Sequence, residues 1–239
     1  AQPDDLGEFF LGDVVVSVVL MESDSSLAPN DVNQEDWNSS SIAEVKAKVE
    51  EGVGWWKETL LNEFPQVSDQ LLNFTFDYTY ADNPVHTGFE AINRYSSDYA
   101  LWVRDFISQT GLISTGNANA DVRNFNHRQR VQHGGSWAFT IFVVNDSLDQ
   151  DHAFAYKAGT HSQAFALPTD KFIITPASRP AATIAHETGH MFWGFDEYVD
   201  GDSYVRHRGY YDTHNENSAN NPGSTQQASI MTDGSLRED

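Results

Sequence analysis

Residues 13–21 read Asp-Val-Val-Val-Ser-Val-Val-Leu-Met, so that from Val14 to Met21 only Ser17 interrupts the apolar run. Such a run has no polar face to turn to water. It is far shorter than the roughly 20 apolar residues a membrane-spanning helix needs. β-Branched residues dominate it, which favours a strand buried on both faces. A chain with such a strand must build layers around it. Trp137–Val144, apolar apart from Thr140, reads as a second central strand. Leu72, Phe74, Phe76, Tyr78 and Tyr80 alternate with polar residues and predict a strand with one buried face. Gln163–Leu167 and Lys171–Thr175 read as shorter strands separated by Pro168.

The helical signals lie between these strands. Ser41 with Glu44 has the spacing of a capping box, and Ile42, Val45, Val49, Val53, Trp56 and Leu60 step by three and four up to Pro65. Thr87 with Glu90 suggests a second cap, before a helix carrying Ile92, Tyr99, Trp102, Val103 and Phe106 and closed by Gly111. Leu112–Gln132 shows no apolar period and reads as a long surface loop, and Val199–Ala228 as irregular chain. The order of strand, helix, strand, helix, strands and helix predicts an α/β (α+β) fold with a mixed sheet. With 239 residues and 39% hydrophobic content, the chain is long enough to bury a full core as one domain, residues 1–239.

Residues 186–198 read His-Glu-Thr-Gly-His-Met-Phe-Trp-Gly-Phe-Asp-Glu-Tyr. On a helix, His186 and His190 lie about 40° apart around the axis and about 6 Å along it. Two imidazoles so placed can hold one Zn²⁺ from the same face, with Glu187 beside the metal as proton acceptor for a metal-activated water. Asp196 follows six residues after His190, within reach as a third ligand that leaves a fourth position open. Pro180 at a first helical turn, Ser178 as N-cap and Gly194 past the last turn supply the helical context. The other histidines show no ligand spacing.

This stretch resembles the zincin metallopeptidases, and within them the metzincins. Those enzymes carry two histidines and a glutamate on one helix, a glycine turn, and a third ligand ten residues after the first histidine. Ser229-Ile230-Met231 resembles the metzincin methionine turn, with Met231 beneath the metal. The string Trp193–Tyr198 is also similar to the protease domain of calcium-activated chloride channel regulators and to bacterial immunoglobulin A peptidases. Counting from His186 makes Asp196 the third ligand; counting three residues beyond Gly194 makes it Glu197. The resemblance implies a twisted mixed sheet with two long helices packed on one face. The active-site helix would floor the cleft between an upper lobe of about 1–194 and a small irregular lower lobe of about 195–239. It implies a zinc endopeptidase acting on protein or peptide substrates. A short strand around Ser162, Gln163, Ala164 and Phe165 would pair with extended substrate.

Composition narrows the rest. The absence of cysteine removes thiolate catalysis, disulfides and cysteine-ligated zinc, and fits a prokaryotic protein. Ala1 opens directly into polar sequence, as in a processed, secreted or cell-surface protein. Thirty-five acids against 14 bases give a net charge of −21, which argues against a nucleic-acid partner. Two acidic clusters, Asp146/Asp149/Asp151 and Asp196/Glu197/Asp200/Asp202, are candidate Ca²⁺ sites, although neither follows the EF-hand pattern. A binding or adhesion module, or a self-processing domain of a larger surface protein, is the alternative to a peptidase; the intact Glu187 favours catalysis.

Overall fold

A computed structural model describes residues 7, 9–27, 35–223 and 225–233. The first long strand, β1 (Gly12–Ser23), is buried without interruption from Val14 to Met21. It lies in the middle of a six-stranded sheet, beside β2 (Leu72–Asp77), β3 (Val85–Thr87) and β4 (Trp137–Val144), all three parallel to it. β4 pairs in parallel with β6 (Phe172–Pro176), and β5 (Phe165–Leu167) closes that edge antiparallel to β6. The order is β2-β1-β4-β6-β5, with β3 pairing β1 beyond the end of β2. The sheet is therefore mixed but mostly parallel.

Helices cover both faces, which corrects the expectation of two long helices on one face. Val14, Val16, Val18 and Leu20 of β1 face α1 (Ser39–Glu63) and α5 (Ala181–Met191), meeting Val45, Val49, Val53, Ile184 and Met191. Val19 and Met21 face the opposite way, into a cluster with Trp102, Val103 and Phe106 of α3 (Ala100–Gln109) and Val122 and Phe125 of α4 (Ala118–His133). The cause is the strand itself: parallel strands with no polar face need a layer on each side.

Helix α4 occupies most of the stretch expected to be a loop. Its inward face is largely polar, which hides the period: Asp121, Asn126, Gln129 and Arg130 are buried beside Val122 and Phe125. These groups have partners. Asn126 donates to Lys171 O at 2.8 Å and accepts from Thr140 Oγ1 at 2.7 Å, and Asp121 accepts from Thr115 N at 2.7 Å. A buried polar group that is hydrogen-bonded does not unfold a helix, but it erases the pattern by which helices are recognised.

Local ends also differ from expectation. The N-cap of α1 is Asn38, not Ser41; its side chain accepts from Ser40 N and Ser41 N while Ser41 Oγ accepts from Asn38 N. Thr87 belongs to β3 and donates to Asp105 at 2.6 Å, so α3 begins only at Ala100. β2 stops at Asp77, whose carboxylate caps Thr79 N at 3.0 Å and turns the chain into α2 (Thr79–Asp82). Ser178 does not cap α5; Pro180 holds that position, and Ser178 donates through N and Oγ to Asp146. The chain after α5 carries a small hairpin, β7 (His207–Arg208) with β8 (Thr213–His214), and a final turn of helix, α6 (Ile230–Asp233).

α1 crosses α5 at Gly52, where an added Cβ would collide with Ala181 O and lie 2.9 Å from Ile184 Cβ. Gly54, two residues on, has nothing within 4 Å. Gly52→Ala should therefore destabilise the fold by about 1–3 kcal/mol through overpacking. Gly54→Ala should stabilise it by roughly 0.5–1 kcal/mol through helix propensity. Urea titrations of the two variants measure opposite signs if this crossing is as described.

Candidate metal centre

α5 holds the three motif residues. His186 and His190 sit one turn apart with ring centroids 4.9 Å from each other, and Glu187 is 7% exposed on the same helix. α1 fixes this helix from behind: Trp56 Nε1 donates to Ala185 O at 2.9 Å. Met231 packs beneath it. An added Cβ at Gly189 would lie 2.7 Å from Met231 Sδ and 2.9 Å from Trp56 Cζ2, so the glycine between the histidines is what lets the methionine approach.

After α5 the chain must turn back sharply, and the turning residue is not Gly194. Trp193 takes the left-handed conformation (φ 72°) and Gly194 N donates to Gly189 O at 2.9 Å. The Trp193 ring lies under Lys171, whose Nζ is 4.5 Å from the ring centroid and which also donates to Met191 O. That cation–π contact and the packing hold a tryptophan where a glycine would be at ease.

The turn brings Asp196 back to the histidines. Asp196 Oδ1 is 3.1 Å from His186 Nε2 and 3.2 Å from His190 Nε2. Glu197 points elsewhere: its Oε2 accepts from Asn217 Nδ2 at 2.6 Å, from Thr232 Oγ1 at 3.1 Å and from Ser229 Oγ. Its backbone N–H donates to Met231 O at 3.0 Å. Of the two adjacent acids, Asp196 joins the histidine pair and Glu197 ties down the turn that carries Met231.

The chemistry of the three facing atoms is that of a cation site. His186 Nδ1 lies 3.0 Å from Ile230 O, and His190 Nδ1 lies 2.8 Å from Gly194 O. A carbonyl oxygen only accepts, so in each neutral imidazole the proton is on Nδ1 and Nε2 is a lone pair. The carboxylate too is an acceptor. Asp196 Oδ1 is buried with no hydrogen-bond partner. Among the described residues, His186, His190 and Asp196 form a group whose three ligand atoms lie within 4.8 Å of one another. Two nitrogens and one oxygen suit Zn²⁺, and backbone carbonyls orient both rings. These residues fit a metal.

Burial works against charge on both imidazoles, but Asp196 and Glu187 outweigh it and raise their pKa values. Burial also disfavours the Asp196 carboxylate, yet the paired histidines hold its pKa below the ordinary value. Burial raises the Glu187 carboxyl, with the two histidines opposing the shift.

The site opens into a cleft of about 210 Å³. Its walls include Ala164, Phe165 and Ala166 around β5, and Tyr198 and Arg208 from the chain after α5. β5 is the terminal strand of the sheet, so its outer edge pairs with no strand among the described residues. Of the nominated substrate-binding residues, Ala164 and Phe165 line the cleft. Ser162 and Gln163 do not; Ser162 O instead accepts from Phe154 N at 2.9 Å. Spacing gives no sign of His161, which reaches the cleft from a different segment; its ring stacks on Phe165 at 5.0 Å and 8°. The same holds for Tyr198, whose ring stacks on His186 at 6.3 Å. The acidic run 196–202 does not gather into a second site: Asp202 accepts from Asp196 N at 3.3 Å and pairs with Arg206 and Arg208.

Asp196→Asn should weaken zinc binding by more than about a hundredfold, exceeding the loss expected for a group that merely orients a ligand. Glu197→Gln should keep one zinc per chain but lose about 1 kcal/mol of stability, because it disturbs a half-buried acceptor of three hydrogen bonds. Zinc titration and urea unfolding of both variants test the division of labour; the reverse pattern would make Glu197 the ligand. No family model, curated protein or solved structure matches this chain, and its chemistry stands on the geometry of the site alone.

Proposed function

We propose that this chain is a zinc-dependent endopeptidase of metzincin type. The observation that carries the reading is the convergence of three atoms able to ligate a metal, His186 Nε2, His190 Nε2 and Asp196 Oδ1, beside a buried Glu187 in an open cleft. Zinc held there supplies Lewis acidity, which polarises a peptide carbonyl and acidifies water.

The protein's own residues do the remainder. Glu187 accepts the proton of the attacking water and returns it to the leaving amine nitrogen, so one carboxyl acts first as base and then as acid. The free edge of β5 binds an extended peptide by adding it as a strand, which presents a backbone carbonyl to the site without demanding a particular side chain. Phe165 and His161 form one wall, and Arg208 stands among the polar groups opposite, where Gly194 O and Asp202 hold its guanidinium. Met231 and Trp56 brace the helix from below, so that the histidines keep their separation when substrate binds. Among the described residues no helix is long and apolar enough to cross a membrane. Secretion or display at a cell surface, by a prokaryote, accords with the cysteine-free composition.

Glu187→Gln should lower hydrolysis of casein or a peptide library by roughly 10²–10⁴-fold, the range for a lost general base. Zinc content should stay at one per chain, and the melting temperature should not fall, since an amide is easier to bury than a carboxylate. Turnover within about tenfold of the unaltered protein would show that Glu187 is not the base. No hydrolysis by the zinc-loaded parent, across a broad peptide library, would favour a binding module instead.

A further inference from the structure

The cleft beside the histidines contains one permanently charged side chain that no step of hydrolysis uses, Arg208. It ends β7 and is half-buried, with 19% of its side chain exposed. Three contacts hold its guanidinium. Nη1 donates to Gly194 O at 3.4 Å and lies 3.6 Å from Asp202 Oδ2, and the Phe195 ring centroid is 5.0 Å from Cζ. Both polar contacts fall on Nη1. Among the described residues, Nε and Nη2 have no hydrogen-bond partner. A residue that only tied Gly194 to β7 would need no more than Nη1; the rest of the fork is available to a ligand.

Asp202 does not neutralise this arginine by itself. Its other oxygen, Oδ1, is bound by Arg206, so two arginines share one carboxylate and this wall carries a surplus of positive charge. That is a local reversal in a chain whose net charge is −21. Burial lowers the Arg208 pKa; Asp202 opposes this, Arg206 adds to it, and Asp196 opposes it. The influence of Asp196 places the guanidinium within electrostatic reach of the candidate metal ligands. The cleft that joins them, about 210 Å³ in volume, is roughly 7 Å across, the length of about two residues of extended chain.

We infer, on the basis of the peptidase reading, that Arg208 selects peptides carrying an aspartate or glutamate within about two residues of the bond that is cut. The edge of β5 meets the peptide backbone and is indifferent to side chains, so discrimination must come from another wall of the cleft. A guanidinium offers a carboxylate two parallel N–H donors, which an amide or a hydroxyl cannot match in charge. Phe195, Gly194 O and Asp202 already hold the fork, so little side-chain freedom is lost when a ligand binds. A peptide's C-terminal carboxylate has the same chemistry. An internal acidic side chain is the better match, because the free edge of β5 accepts a chain that continues past the site.

The test uses alanine hexapeptides capped at both ends, with Glu or Gln at each position in turn, and the zinc-loaded protein. The best Glu peptide should exceed its Gln counterpart by about 10–100-fold in kcat/KM, the range for a charge-assisted pair. In Arg208→Gln that ratio should fall to within about threefold of one, while Arg208→Lys, which keeps the charge without the fork, should retain a smaller preference. Zinc content checks that each variant keeps the site; should Arg208→Gln lose zinc, the parent and Arg208→Lys decide. Equal hydrolysis of Glu and Gln forms by the parent, or an unchanged preference in zinc-loaded Arg208→Gln, would overturn the inference. Calorimetric titration of zinc-loaded Glu187→Gln with the same peptides reads recognition without turnover. Tighter binding of a Glu form, with no hydrolysis by the parent, would sink the peptidase reading and leave Arg208 as the group that recognises a carboxylate. Hydrolysis of both forms alike would do the reverse. An uncapped all-alanine hexapeptide that binds as tightly as the best capped Glu form would assign the carboxylate to the chain terminus and overturn the side-chain preference.

Discussion

Eight consecutive buried residues in β1, Val14–Met21, leave that strand no side on which to meet water. The architecture is the solution to this constraint. Backbone groups are satisfied by parallel neighbours, β2 and β3 on one side and β4 on the other, while side chains alternate between two apolar clusters. One cluster is closed by α1 and α5, the other by α3 and α4. α5 is therefore not a surface helix that happens to carry histidines. Its apolar face is anchored in the same core as β1, through Ile184 and Met191, and only its outer face is available for chemistry.

That anchoring fixes the place of the candidate site in the fold. α5 is pinned by α1 at Gly52, and Trp56 and Met231 meet it at Gly189. The two backbone carbonyls that orient the histidines come from different places, Gly194 just beyond the helix and Ile230 in the last described helical turn. The ligand set is complete only when the chain after α5 has folded back. Glu197 links these parts: its carboxylate holds Ser229 and Thr232 while the residue before it faces the histidines. One peptide unit thus joins the acid that would bind metal to the acid that holds the turn carrying Met231.

The excess of negative charge has two separate meanings. Most carboxylates are at the surface, where water and salt reduce their mutual repulsion. A few carry a buried oxygen with no hydrogen-bond partner, and these are the informative ones. Asp196 Oδ1 shares its space with the Nε2 atoms of two imidazoles, a mixed nitrogen and oxygen set.

Periodicity and spacing by themselves determined the long helix from Ile42 to Leu60, the strands at 14–21 and 137–144, and the pairing of His186 with His190. In these cases the decisive contacts are local, or the burial pattern is simple. The 118–133 helix is invisible to periodicity for the opposite reason: its inward residues are polar, and only their tertiary partners, such as Lys171 O and Thr140 Oγ1, make that burial tolerable. Tertiary structure also decided between Asp196 and Glu197. They are neighbours in an irregular segment, and which one faces the histidines depends on Trp193 adopting a left-handed turn that spacing would assign to glycine. His161 and Tyr198 belong to the same class. Each acquires its surroundings from segments remote in the chain, and no one-dimensional pattern records which distant groups a fold will bring together.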